Sequence, residues 1–215
     1  RVAGKKVAII GGGPAGLSAA YYLAQMGYKP TVFEKNPIPG GMMTYGIPSY
    51  KLEKDVIAAE IDIIKALGAE IKCGVEVGKD VTIDELKKQG YKAFYIAIGC
   101  QGGKRPGVKN DDAKGTEYLT RSNLMKAFDE NSDTPIMRGK KVAVVGGGNV
   151  AIDCARNAHR LGATDVKMFC LESRDTMPAS NEEILEAEEE NVGINPSWGP
   201  KEVTVNDKGE VTGII

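Results

Sequence analysis

Nine residues, Lys5-Lys6-Val7-Ala8-Ile9-Ile10-Gly11-Gly12-Gly13, return with two conservative changes as Lys140-Lys141-Val142-Ala143-Val144-Val145-Gly146-Gly147-Gly148. Each copy is a short β-rich apolar run that breaks into glycines. An apolar-periodic stretch follows, Leu17 to Met26 in the first copy and running to Leu161 in the second, and each reads as a helix. Gly27 and Gly162 are the helix stops. The segments Pro30–Glu34 and Asp165–Leu171 then read as the next strands. Two such strand–turn–helix–strand units define an α/β chain with a duplicated unit, and the copies lie too far apart for a solenoid.

The remaining pattern agrees. Residues 53–67 predict a helix with Ile57, Ile61 and Ile64 on one face and Gly68 as its stop. Ile71–Val77 is a strand candidate, and Thr82-Ile83-Asp84-Glu85 has the form of a capping box opening a short helix that ends near Gly90. Ala93–Ile98 is an apolar strand closed by Gly99. The Gly-, Lys-, Asp- and Asn-rich stretch 101–115 reads as a boundary, giving domains at 1–106 and 107–215. Beyond it, Glu117–Phe128 predicts a helix and Asn131–Pro135 a loop. The start at Arg1 and the strand-like end, Val211–Ile215, read as the ends of a piece cut from a longer polypeptide.

Charge narrows the function classes. With 28 Lys+Arg against 29 Asp+Glu the chain lacks the basic footprint of a sequence-independent nucleic-acid binder. No apolar window approaches the roughly 20 residues that span a bilayer, and no signal peptide is evident, so neither nucleic acid nor membrane is an expected partner. Cys73, Cys100, Cys154 and Cys170 stand far apart with no C-x-x-C and no metal-ligand spacing, and read as small hydrophobes in a reducing cytoplasm. Glycine is the one departure: 27 residues, against about 15 at an ordinary usage of about 7%.

Those glycines carry the chemistry. In Gly11-x-Gly13-x-x-Gly16 the first permits a tight turn, the second lets backbone N–H groups approach a pyrophosphate, and the third lets helix and strand pack closely. The phosphates then meet a helix N-terminus, where unpaired N–H groups favour an anion. Pro14 suits a position where no N–H is needed. Glu34, at the end of the next strand, supplies a carboxylate for ribose hydroxyls. The second turn, Gly146-x-Gly148-Asn149-Val150-Ala151, has Ala in the third place, and Glu172, again at a strand end, is its acidic candidate. A carboxylate there repels a 2′-phosphate and favours NADH, whereas Arg174 either serves a 2′-phosphate or is a solvated loop residue. Two dinucleotide sites in one chain suggest a flavin and a nicotinamide with hydride passing between them, a task that needs no side-chain acid, base, nucleophile or metal. His159, the only histidine, reads as a structural residue in mid-helix.

Gly11 to Leu17, Glu34-Lys35 and the stretch Pro39-Gly40-Gly41-Met42-Met43-Thr44-Tyr45-Gly46-Ile47-Pro48 closely resemble the FAD domain of the glutamate synthase small subunit and its relatives. Lys140 to Asp153 and Met177-Pro178-Ala179 resemble their NAD(P)-binding domain. The resemblance implies two Rossmann-like dinucleotide-binding domains, the NAD(P) domain inserted into the FAD domain. Electrons would pass from NAD(P)H to FAD and on to iron–sulfur clusters in another domain or a large catalytic subunit. It also implies FAD contacts from Gly11, Gly13, Pro14, Ala15, Gly16, Glu34, Lys35, Gly41, Met42 and Ile47. Val77 would lie at the adenine, with Ala97 and Gly99 at the first crossover. Nucleotide contacts would fall on Gly146, Gly148, Asn149, Val150, Glu172, Ser173 and Arg174. By the same resemblance a preceding cysteine-rich iron–sulfur domain and a returning FAD segment are lacking, which leaves the FAD domain incomplete. NADPH-using members carry paired arginines where this chain has Leu171-Glu172, which favours NADH over NADPH.

The absence of a cysteine pair in Pro37–Pro48 or Asn149–Cys154 argues against a dithiol relay. The acidic run Glu182–Glu190 reads as a solvated helix face rather than a docking surface, Trp198 as a packing anchor in a Pro/Gly turn rather than a stacking platform, and Lys104-Arg105 as a solvent-exposed loop or a phosphate attractor. Two other classes compete with the electron-transfer reading: a non-catalytic nucleotide-binding or assembly module, and a flavin monooxygenase or oxidase.

Overall fold

The computed structural model describes residues 4–100, 105–116 and 139–215. The helix expected at Glu117–Phe128, the loop at Asn131–Pro135 and Lys104 lie outside them. The chain divides into two compact units, Arg1–Gln101 and Gly102–Ile215.

In the first unit β1 (Lys6–Ile10), β2 (Lys29–Glu34), β3 (Glu70–Cys73) and β4 (Tyr91–Ile96) form a parallel sheet in the order β3-β2-β1-β4. The helices are α1 (Pro14–Gln25), α2 (Met42–Tyr45), α3 (Lys54–Ala66) and α4 (Ile83–Lys88). Alternation along β1 sends Val7 and Ile9 to one face, where they join Leu17 and Ala20 of α1 and Ile57, Ile61 and Ile64 of α3. Ala8 faces the other way, packing with Phe33, Leu86 of α4 and Tyr91. A parallel sheet covered on both faces accounts for the unbroken apolar character of β1. The capping box forms as expected: Thr82 Oγ1 accepts from Glu85 N–H, and the Glu85 carboxylate accepts from Thr82 N–H at 2.8 Å. The strand expected over Ile71–Val77 is shorter, because Gly74 adopts φ 72° and leaves Val77 only an isolated bridge to Val81.

In the second unit β5 (Lys141–Val145), β6 (Asp165–Cys170) and β7 (Gly193–Pro196) pair in parallel in the order β5-β6-β7. The helices are α5 (Asn149–Arg160) and α6 (Asn181–Glu189), and β8 (Val203–Val205) and β9 (Val211–Ile214) form an antiparallel pair. The core gathers Ile152, Ala155 and Ala158 of α5 against Val166 and Met168 of β6 and Ile184 and Ala187 of α6. His159 lies in the last turn of α5 rather than mid-helix. No helix among the described residues is long and apolar enough to cross a membrane.

The duplication extends to the hydrogen bonds. Gly4 N–H donates to Gly27 O, as Gly139 N–H does to Gly162 O, both at 3.1 Å. Lys29 N–H donates to Lys5 O, as Thr164 N–H does to Lys140 O, and Gly11 N–H to Phe33 O, as Gly146 N–H does to Phe169 O.

Candidate functional site

In the first unit the turn between β1 and α1 is built from atoms that leave no room for side chains. Gly11 has φ 108°, and a Cβ there would collide with the Ala97 carbonyl at the end of β4. A Cβ on Gly16 would strike the Gly11 carbonyl. Gly13 is the N-cap of α1 and offers no side-chain cap, and Pro14 and Ala15 open the helix. The first-turn N–H groups of α1 are thus left for an outside acceptor. Gly41 (φ 56°) approaches so closely that its Cβ would lie 2.7 Å from Gly13 Cα. Gly40 N–H donates to Gly12 O at 2.7 Å, which attaches the Gly40–Pro48 segment to the turn.

Glu34 ends β2 and is buried, its two oxygens accepting from Gly12 N–H at 2.7 Å and Asn36 N–H at 2.8 Å. A carboxylate has further lone pairs, so this fixed group can still accept from hydroxyls. Lys35 beside it is exposed. Met42 opens the single turn of α2 and Ile47 follows it, and Lys54 of α3 donates to Met43 O at 2.7 Å and Ile47 O at 2.5 Å. Burial lowers the Lys54 pKa. Tyr45 Oη accepts from Ile38 N–H at 2.9 Å, and burial raises its pKa. Burial, then the Glu34 charge, raises the pKa of Cys73, keeping it a thiol. Ala97 follows β4 beside Gly11, with Gly99 (φ 66°) two residues on, while Val77 sits in the bridge after β3.

The second turn repeats the plan with one displacement. Gly146 has φ 142°, Gly148 is the N-cap of α5 without a side-chain cap, and Asn149 and Val150 open the helix with Val150 exposed. Asn149 Oδ1 accepts from Ser180 N–H at 2.9 Å, and Ala179 N–H donates to Gly147 O at 3.0 Å. Met177-Pro178-Ala179 is therefore attached to this turn as Gly40 is to the first. Cys170, not Glu172, occupies the position of Glu34: it follows the phenylalanine that accepts the turn N–H, and its Cβ would lie 2.9 Å from a Cβ on Gly147. Glu172 stands two residues beyond the end of β6 and curls back, its Oε2 3.1 Å from the same point. The expectation that Glu172 ends the strand is corrected to that extent. Ser173 precedes a 3₁₀ turn, Arg174–Thr176.

Three expectations change. Arg174 is not a loose loop residue: its guanidinium makes a two-point pair with Glu188 at 2.7 and 2.8 Å. The acidic helix α6 is not simply solvated, because Arg156, itself buried, binds Glu183, Glu186 and Glu190, and Arg160 also binds Glu190. Trp198 is not a packing anchor, being 66% exposed. It borders a cleft of about 320 Å³ with Gly146, Gly147, Leu171 and Glu172. Arg105 is an exposed loop residue, as one of its two expected readings has it, and pairs with Asp111 and Asp112.

The cysteines remain unpaired. Cys154 is buried in α5, its pKa pushed up to about 12 first by burial and then by the Asp153 charge, and Cys170 is raised chiefly by burial. Neither is the thiolate that dithiol exchange requires.

Comparison with known proteins agrees with this geometry. Residues 5–214 match the family model for pyridine nucleotide-disulphide oxidoreductases. The chain is 47% identical to the β subunit of the NADP(+)-dependent formate dehydrogenase of Moorella thermoacetica, covering 98% of this chain and 29% of that protein. It is 39% identical to the small chain of the Escherichia coli K12 glutamate synthase [NADPH], covering 98% of this chain and 46% of that one. The chain thus spans less than half the length of either relative. Among solved structures, Mycobacterium tuberculosis FprA in complex with NADPH superposes with a TM-score of 0.80 at 16% identity, over 98% of this chain and 63% of FprA. The resemblance read from the glycine turns and the Gly41–Pro48 stretch is borne out, as is the α/β architecture of an FAD/NAD(P)-binding oxidoreductase, and the chain belongs to the pyridine nucleotide-disulphide oxidoreductase family.

Proposed function

We propose that the chain is the dinucleotide-binding module of a flavoprotein that takes hydride from NAD(P)H onto FAD and passes electrons to an iron–sulfur domain or a larger catalytic subunit. One observation carries the reading: the same glycine turn, uncapped helix and attached loop are built twice, each with an acidic side chain against the middle glycine. FAD fits the first unit, where Gly11 and Gly16 let the turn pack closely, Gly13 leaves room for a pyrophosphate over Pro14 and Ala15, and Glu34 is held ready for ribose hydroxyls. Lys35, Gly41, Met42, Ile47, Val77, Ala97 and Gly99 would complete its lining. Bound there, FAD would supply the hydride acceptor and the one-electron outlet. The nicotinamide dinucleotide would take the second turn, over Gly146, Gly148, Asn149 and Val150, with Glu172, Ser173 and Arg174 at its ribose end. The domain limits 1–106 and 107–215 and a cytoplasmic location belong to the same proposal.

The finer choice is NADH. Glu172 comes back against Gly147 of the second turn, a carboxylate there would disfavour a 2′-phosphate, and Arg174 is already engaged by Glu188. The relatives give NADH no support, since their names specify NADPH or NADP(+), and NADPH is the second reading on that ground. Anaerobic titration of the full-length protein with each nucleotide, following the flavin absorbance bands, tests both levels. Bleaching by NADH at far lower concentration is expected. Bleaching by NADPH first overturns the nucleotide choice alone, and a flavin bound but bleached by neither overturns the relay.

A further inference from the structure

Two large apolar side chains stand out of the core at the C-terminal end of the second sheet. Leu171 is 75% exposed and Trp198 66% exposed, and both border the cleft beside the Gly146–Gly147 turn. Exposing a tryptophan and a leucine together is unfavourable unless something covers them. Main-chain bonds hold them there. Ser197 N–H donates to Glu172 O and Trp198 N–H to Cys170 O, both at 2.8 Å, so the chain leaving β7 runs on beside the end of β6. Ser197 takes φ 63°, a left-handed conformation that a non-glycine residue adopts at a cost, just before the tryptophan. Gly199 lies against Leu171, and a Cβ at 199 would come within 2.6 Å of Leu171 Cδ2.

The chemistry of the cleft selects its occupant. Its volume of about 320 Å³ is at the low end of the ~300–1,000 Å³ of small-ligand sites. Glu172 on its wall repels phosphate but accepts from sugar hydroxyls, and phosphates have a separate seat at the N-terminus of α5. What remains is a flat, uncharged, aromatic group joined through a sugar. We propose that Trp198, with Leu171, is the stacking platform for the adenine ring of the nicotinamide dinucleotide. The assignment rests on the nucleotide reading of this unit and adds to it the residue that binds the base. Stacking on an indole face is strong and indifferent to which edge groups the ring carries.

Calorimetric titration of the full-length protein and its W198A and W198F variants, with ADP-ribose as the adenine half and nicotinamide mononucleotide as the other, tests the proposal. W198A is expected to weaken ADP-ribose about tenfold, W198F to stay within about threefold of wild type, and the mononucleotide to bind all three alike. ADP-ribose should also quench tryptophan emission in wild type but not in W198F. Unchanged ADP-ribose affinity in W198A, or equal losses for both ligands, overturns the stacking role while leaving the nucleotide site in place. Wild type that binds neither ADP-ribose nor NAD(P)H overturns the nucleotide reading itself. Circular dichroism matching wild type separates either result from misfolding.

Discussion

At the scale of single residues the turns are decided by atoms that are absent. Gly11 combines a positive φ with a carbonyl where its Cβ would be. Gly11→Ala should therefore cost more than the roughly 1 kcal/mol of backbone preference alone, on the order of 2–4 kcal/mol, read from denaturant midpoints at constant m. Glu34→Gln keeps the shape but turns an NH₂ toward either the Gly12 or the Asn36 N–H, leaving two donors facing. Flavin retained on purification is expected to fall about tenfold, measured as the flavin-to-protein absorbance ratio; full retention would remove Glu34 from the site. Sequence made both positions legible, because a turn that admits only glycine advertises itself in the glycine spacing. It did not show that Cys170 takes the place of Glu34 in the second unit, because strand length is set by pairing. The equivalent partner of the turn N–H is Phe33 in one unit and Phe169 in the other, and Glu172 must reach back from beyond the strand.

At the scale of elements, α4 was readable down to its cap, since a capping box is a local pattern. Thr82→Ala should cost about 1 kcal/mol in thermal or chemical unfolding. The environment of α6 was not readable, because its partners come from a different helix. Arg156 lies buried among three carboxylates, and Arg156→Met should destabilise by about 3 kcal/mol through the repulsion left behind. Burial alone would raise the Glu190 carboxyl, but hydrogen bonds and charge from Arg160 and Arg156 outweigh it and hold its pKa at about 2. A folded value below the ordinary one stabilises above that ordinary value, and the contribution is lost as pH falls through the folded one. Stability should thus decline between about pH 4.5 and pH 2, by on the order of 1–2 kcal/mol after solvent screening. In Glu190→Gln the decline in that window should be shallower, as measured by urea unfolding at a series of pH values.

At the scale of the whole molecule the duplication was plain in the sequence, whereas the exposure of Trp198 was not. A lone tryptophan in a Pro/Gly turn suggests packing, and only the bonds from Ser197 and Trp198 to the end of β6 reveal that it is held outward. The scatter of the cysteines also becomes a testable property. Cys100 is exposed, while Cys154 and Cys170 are buried thiols. Labelling with a thiol reagent should modify Cys100 rapidly, reach Cys154 and Cys170 only on unfolding, and give the same count before and after NAD(P)H is added. A count that rises with NAD(P)H would mean that a disulfide is being reduced.

The two loop attachments, Gly40 N–H to Gly12 O and Ala179 N–H to Gly147 O, join main chain to main chain. Mutational scanning with alanine would pass over the second without a signal, since residue 179 is already alanine, whereas at Gly40 (φ 118°) a Cβ would run into Thr44 Oγ1 and Gly40→Ala would disturb the first loop by collision rather than through the bond. Proline at 40 or 179 deletes the donor itself. Apart from Gly40 itself, the sequences of the two loops can drift apart while the joint persists, and a comparison by letters alone would overlook one of the strongest likenesses between the halves of this chain.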